Sequence, residues 1–249
     1  TKAFHCVPIV RANLQLTPQV NIVLGTLYGK SAHGLAEPLY NDEMNISGDP
    51  ETGLQLLCKP HWMDLDAWIN WQDFIFRDDK RQERFCFGLS TRFKPSRRSA
   101  QLQWHIPLQL LMQHTGGEVN TGAQDRSIKT WLNAAAGVGF DLPLRTQCPV
   151  SLGADVLGTY FSQQCGTVLP FDKGYGILAQ ARAQVWRVGL TVGYWASHQY
   201  IPILGSTLFS SMSTSKQGVT LDNPRMFLFR AEYAQKLRGE RTKSLVRKL

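Results

Sequence analysis

The most restrictive feature of this sequence is its rhythm. Apolar residues alternate with polar or small ones at period two, in segment after segment, and successive residues of a strand point to opposite faces. From Glu83 to Lys94, Phe85, Phe87, Leu89, Thr91 and Phe93 share one face, while Arg84, Cys86, Gly88, Ser90 and Arg92 share the other. From Gln101 onward, Leu102, Trp104, Ile106, Leu108, Leu110 and Met112 oppose Gln103, His105, Pro107, Gln109 and Gln113. Met63, Leu65, Ala67, Ile69 and Trp71 likewise oppose Asp64, Asp66, Asn70 and Gln72. A helix would scatter these residues to every side, so the segments read as strands. About eleven of them follow this pattern, near 7–16, 20–30, 52–59, 63–76, 83–95, 101–114, 129–143, 150–162, 175–186, 187–199 and 225–236. Several run well past the ~5–6 residues usual for a globular strand.

The connections alternate too. Short turns at 17–19, 59–62, 94–99, 144–149 and 186–187 interleave with long links at 30–51, 113–128, 163–174 and 200–225. Only 77–82 is short among the second set. Short turns at one end and long loops at the other describe an antiparallel up-and-down β-barrel of the outer-membrane type.

A soluble β-sandwich or a lipocalin-like barrel would also alternate, and the height of the aromatics decides against both. With the short turns at the periplasmic end, Tyr28, Trp71, Phe85, Tyr160, Tyr194 and Phe227 fall near the outer end of their strands. Phe93, Trp104, Phe140 and Tyr233 fall near the inner end. Two aromatic girdles flanking an aliphatic band are expected at two membrane–water interfaces. The opposite face carries Arg11, Asp64, Asp66, Arg84, Arg92, His105, Asp141, Asp155, Arg182, Arg230 and Glu232, which the alternation directs into the lumen. Such a barrel crosses a membrane without a long apolar run, because its backbone groups are all paired between strands. This accounts for a mean hydropathy of −0.22 in a chain that is 43% hydrophobic.

Barrel and tail divide the chain at residue 236, with 237–249 a basic periplasmic tail that is solvated or touches anionic lipid or a partner. The net charge of +8 is otherwise spread through lumen and turns, which argues against nucleic-acid binding. Cys6, Cys58, Cys86, Cys148 and Cys165 match no zinc spacing and are odd in number. The reading therefore includes no metal and no cofactor. The sequence begins Thr1-Lys2-Ala3, with neither an initiator Met nor an apolar signal core. An odd strand count is unusual for such barrels, so a further strand upstream of Thr1, giving about 12–14 in all, is expected.

Two stretches resemble outer-membrane barrel proteins of the Bacteroidota type. One is Asn21-Ile22-Val23-Leu24-Gly25-Thr26-Leu27-Tyr28-Gly29 with His33 and Glu37-Pro38-Leu39-Tyr40. The other runs from Asp64 to Ile75 and on to Gln82-Glu83-Arg84-Phe85. The resemblance covers the first third of the chain and implies a fold and a compartment. Members of that group are mostly without an assigned activity, and some are similar to accessory subunits of surface-protein assemblies.

Candidate chemistry is sparse. Asp78-Asp79 with His198 is similar to the acid–histidine site of omptin-like proteases, but charges at loop tips are ordinarily solvated. A phospholipase would need a His–Ser pair on adjacent strands, and the sequence shows none. His105, between Gln103 and Gln109, reads as a hydrogen-bonded structural histidine. The glycines follow the strand alternation instead of forming a phosphate cradle, and make room for neighbouring lumen side chains. Bulky Trp68, Trp195, Leu57, Leu111 and Leu157 also point inward, favouring a filled or constricted lumen. Segments 30–51 and 200–225 either pack over the barrel mouth or dock a partner.

The expected function is thus non-enzymatic: an outer-membrane scaffold or accessory subunit of an assembly or export complex. Its contacts would be membrane lipid, lipopolysaccharide and other surface proteins through 30–51 and 200–225. A small-solute diffusion channel is the alternative.

Overall fold

The computed structural model describes residues 8–29, 32–41, 43–44, 48–76, 79–96, 100–117, 127–144 and 150–234. Eleven strands follow one another in a single antiparallel sheet whose spatial order is the sequence order. They are β1 (Arg11–Thr17), β2 (Val20–Thr26), β3 (Thr52–Cys58), β4 (Met63–Asp73), β5 (Arg84–Phe93) and β6 (Gln103–Thr115). The second half contains β7 (Lys129–Leu144), β8 (Val150–Cys165), β9 (Lys173–Val185), β10 (Val188–His198) and β11 (Arg225–Tyr233). The protein is an up-and-down meander, as the alternation requires.

Register fixes the two faces. Trp68 stands opposite Gln55 on β3 and Gly88 on β5, and Gly88 in turn stands opposite Leu111. His105, Gly139, Asp155 and Gln180 form another such row across β6 to β9. One face of the sheet carries these residues and most of the buried side chains, including Trp68, Leu111, Phe161, Leu178 and Trp195. The other presents Leu24, Leu54, Leu108, Val156, Leu190 and Phe229 to the outside.

The inner face is filled by the chain's own long segments. Ala36 N–H donates to Gln109 Oε1 on β6 at 2.8 Å, and Gln109 Nε2 donates back to the Gly34 carbonyl at 3.2 Å. The adjacent Glu37 pairs with Arg230 on β11 at 2.9 Å. In a flat sheet β6 and β11 would lie roughly 24 Å apart, at ~4.8 Å per strand. Two consecutive residues reach both, so the sheet curls around this segment. Asn133 holds the second long segment, donating to the Ile201 carbonyl at 3.0 Å and accepting from Ile203 N–H at 2.8 Å. Tyr40 and Leu204 join the two segments by a bridge, and Tyr200 donates to the Pro38 carbonyl at 3.1 Å. Trp195, Tyr200, Phe161 and Phe209 then make an apolar core inside the curl. Of the two roles expected for 30–51 and 200–225, their described residues show self-packing against the inner face.

Inner glycines make this filling feasible. A Cβ at Gly88 would collide with the Trp68 indole, one at Gly139 with His105 and one at Gly176 with Trp195. Gly88→Val should therefore lower stability by about 1–3 kcal/mol, the usual cost of overpacking a filled interior. Equilibrium unfolding of the detergent-solubilised protein by urea checks this.

The tail 237–249, and with it the division of the chain at residue 236, lies outside the described residues. Among the described residues, β1 pairs with β2 and β11 with β10, and the two strands do not pair with each other.

Candidate functional site

Four described histidines, His33, His105, His114 and His198, make polar contacts, and hydrogen-bond chemistry separates structural from reactive ones. His33, from the segment after β2, lies flat on Trp68 with ring centroids 3.5 Å apart and planes 6° from parallel. Its Nδ1 meets Asp66 Oδ2 at 2.9 Å and its Nε2 meets Glu51 Oε2 at 2.8 Å. Gln55 Nε2 donates to both Asp66 oxygens at 2.9 Å, and Tyr40 hydroxyl donates to Glu51 Oε1. Burial alone would push the His33 pKa down, but the hydrogen bonds and charge of Asp66 and Glu51 outweigh it and hold the value above the usual one. With both nitrogens donating to carboxylates, this imidazolium is a clamp on the loop and has no lone pair to act as a base. Burial and the Glu51 charge likewise push the Tyr40 hydroxyl up, so it stays protonated.

His105 is also committed. Arg92 Nη2 donates to its Nδ1 at 2.8 Å, because a guanidinium cannot accept. Its Nε2–H therefore donates to Asp155 Oδ1 at 2.6 Å. Arg92 also binds Asp141, and Arg182 binds Asp155 and reaches Asp141 at 3.5 Å. The residues directed inward by alternation thus split into separate groups. His105, Arg92, Asp141, Asp155 and Arg182 form one network. Asp66 belongs to the His33 clamp, Asp64 pairs with Lys94 at 2.5 Å, and Arg84 pairs with Asp73 at 2.6 Å. Arg230 lies beside Glu37 and Glu232. Arg11 donates to the Thr26 and Leu27 carbonyls and sits 4.2 Å over the Tyr28 ring.

Tyr28 departs from the girdle position expected of it. β2 ends at Thr26 after Gly25, whose φ of 95° breaks the alternation, and the Tyr28 hydroxyl donates to Asn13 on the inner face at 2.9 Å. The other aromatics lie on the outer face by register, several in cross-strand contact: Trp71 with Phe85 at 6.1 Å, Trp104 with Phe140 at 5.7 Å, and Tyr194 with Phe227 at 5.1 Å. Phe93 stacks with Trp62 at 6.3 Å, Tyr160 pairs opposite Tyr175, and Tyr233 lies opposite Val188.

The omptin-like arrangement does not assemble among the described residues. Asp79 Oδ2 accepts from Phe76 N–H, His198 donates to Asn223 Oδ1 at 2.9 Å, and Asp78 lies outside the described residues.

The remaining arrangement is one that sequence reading missed. His114 and Thr130 stand directly opposite each other on β6 and β7, on the outer face at the long-loop end. The His114 ring lies 5.0 Å from Phe85, which continues the row to Trp71. Its Nε2 is 3.0 Å from the Gly116 carbonyl and its Nδ1 is 2.8 Å from Thr130 Oγ1. A carbonyl only accepts, so Nε2–H donates to it, and in the neutral ring the lone pair is on Nδ1. In that form the Thr130 hydroxyl donates to Nδ1. A hydroxyl aimed at an imidazole whose other nitrogen is fixed is the nucleophile–base–orienter order of acyl-transfer sites.

Local structure enforces this. Gly116 has a φ of 92°, and a Cβ there would meet Gln82 Nε2 at 2.8 Å and Ser127 O at 2.9 Å, so only glycine turns its carbonyl back onto His114. The β7–β8 register slips between Thr130 and Trp131, a bulge of the kind that re-aims side chains beside active sites. A search for His–Ser pairs passes over this site because the hydroxyl belongs to threonine and the partners are 16 residues apart.

Comparison with known families gives a match to the family described as Lipid A 3'-O-deacylase-type, over residues 2–245. No curated protein and no solved structure matches the chain. The family match overturns the non-enzymatic expectation: its description names a deacylase, and neither an accessory scaffold nor a diffusion channel. An all-β fold in a family named for lipid A fits an outer-membrane protein, and agrees with the resemblance to Bacteroidota barrels while replacing their unassigned activity. By a match that spans nearly its whole length, the chain belongs to the Lipid A 3'-O-deacylase-type family.

Proposed function

We propose that this protein is an outer-membrane esterase that removes an ester-linked acyl chain from lipid A, with Thr130 as nucleophile and His114 as general base. The observation that carries this reading is the Thr130 hydroxyl 2.8 Å from His114 Nδ1, with Nε2 held by the Gly116 carbonyl, on the outer wall beside the aromatic row. Aromatic residues settle at the level of the lipid headgroups. The ester bonds of a membrane lipid lie at the boundary between headgroup and acyl chain, so an outward site at this height meets them without extracting the substrate.

The chemistry follows from the geometry. Thr130 Oγ1 attacks the ester carbonyl carbon while His114 Nδ1 takes its proton. The tetrahedral intermediate expels the sugar oxygen, which receives that proton from His114. Water then attacks the acyl-threonine, again losing a proton to Nδ1, and releases the fatty acid with the hydroxyl restored.

This reading also assigns the remaining topology. Residues 1–236 form the barrel and 237–249 a periplasmic tail. The short turns face the periplasm, and the long segments and His114 face the outer leaflet where lipid A resides. The inner rows of charge fill the lumen. The test is direct. Purified protein incubated with hexa-acylated lipid A in mixed micelles should yield a species lighter by one acyl chain, read by mass spectrometry with free fatty acid recovered in equal amount. Unchanged lipid A would reject the reading.

A further inference from the structure

Below the His114–Thr130 pair, the outer wall is grooved. A depression of about 400 Å³ is lined by Leu89, Leu108, Leu110, Ala134, Ala136 and Tyr160, together with Gly158. It crosses β5 to β8 in two register rows, Leu89–Leu110–Ala134–Tyr160 and Leu108–Ala136–Gly158, which lie four and six residues below His114 and Thr130 on β6 and β7.

Gly158 is a second, independent sign. Every other glycine described within a strand lies on the inner face, where several make room for a tryptophan or histidine, or at the bend of Gly25. Gly158 alone points outward. Its φ is not left-handed, and a Cβ there would meet nothing closer than the Ala136 carbonyl oxygen at 3.7 Å, an ordinary contact. Neither backbone nor packing requires a glycine at this point, and glycine weakens a strand. What its absent side chain provides is depth.

We infer that this groove binds the acyl chain whose ester bond is presented to Thr130, and that Gly158, Ala134 and Ala136 set the chain length accepted. The inference rests on the esterase reading above and adds the determinant of its selectivity. The dimensions agree. Leu108, at the far row of the groove, lies six residues below His114, roughly 20 Å along the strand at ~3.3 Å per residue. At a tilt of ~40° that path descends about 15 Å, the hydrocarbon depth of one leaflet of a ~30 Å core. The lining offers no charged side chain, so its occupant is hydrocarbon, and its place directly below the candidate site on the same two strands selects a chain of the glycolipid over bulk phospholipid.

The experiment uses lipid A carrying a terminal diazirine on its ester-linked acyl chain, mixed with the full chain in micelles. The His114→Ala variant keeps the probe uncleaved, so binding is read apart from catalysis. Photolysis should label peptides containing 108–110 and 134–136, and Gly158→Leu, added to that background, should cut the yield at least tenfold. In the active protein, Gly158→Leu should shift the preferred chain to a shorter one, read as the ratio of short-chain to long-chain turnover. Label spread evenly over the outward strands would overturn the groove. So would equal labelling by a diazirine phosphatidylethanolamine, or an unchanged chain-length profile in an active Gly158→Leu protein. If His114→Ala instead retains full hydrolysis, the esterase assignment falls separately, and the cross-linking pattern still decides the groove.

Discussion

Replacing His114 with alanine should abolish lipid A deacylation, with kcat lower by about 10³-fold, the scale for losing a general base. Thr130→Ala should cost as much, because base and nucleophile act as a unit and their losses do not add. The double variant should be no slower than either single one. Thr130→Ser keeps the hydroxyl and should retain activity within about tenfold. These residues are half-buried on the outer wall and belong to neither interior cluster, so the variants should unfold at the same denaturant concentration as the parent. That combination, dead but fully folded, is what distinguishes a reactive pair from a structural hydrogen bond. A His114→Ala protein with normal turnover would remove the assignment. A Thr130→Ala protein with normal turnover in the presence of His114 would confine it to histidine activating water directly.

Much of the architecture was legible because a strand displays its environment in every second residue. Each of the eleven expected segments overlaps an observed strand, and the expected breaks fall at the observed turns. Tyr28 escaped because Gly25 bends the backbone where the pattern would carry on. The reactive pair escaped for a different reason. His114 and Thr130 meet only through the register of β6 on β7, and their roles follow from a carbonyl that a left-handed glycine turns back. Alternation reveals which face a side chain occupies, whereas hydrogen-bond polarity depends on contacts that no local pattern carries. The inner charges illustrate the same limit. Sequence places Asp66, His105 and Arg182 on one face, but only coordinates show that Asp66 serves a loop histidine while the other two share Asp155.

The second large effect belongs to that loop histidine. His33→Ala should destabilise the protein by about 3–5 kcal/mol, because removing the cation leaves Glu51 and Asp66 buried without their partner. The loss also has a pH signature with a definite sign. The folded-state pKa of His33 is raised above its ordinary value of 6.5, so the folded protein binds this proton more tightly than the unfolded chain. Its stabilisation is complete below about pH 6.5 and disappears as pH rises through the higher folded-state value. Unfolding of the parent in urea should therefore weaken from near-neutral into alkaline pH, while the difference between parent and His33→Gln narrows over the same range. Because His33 ties the first long segment to β4 through Asp66 and Trp68, the loss should be local first. Limited proteolysis within 30–51 should speed up at alkaline pH before the strands unfold. A parent–variant difference that stays constant with pH would show that His33 holds the segment as a neutral ring, and would remove the clamp.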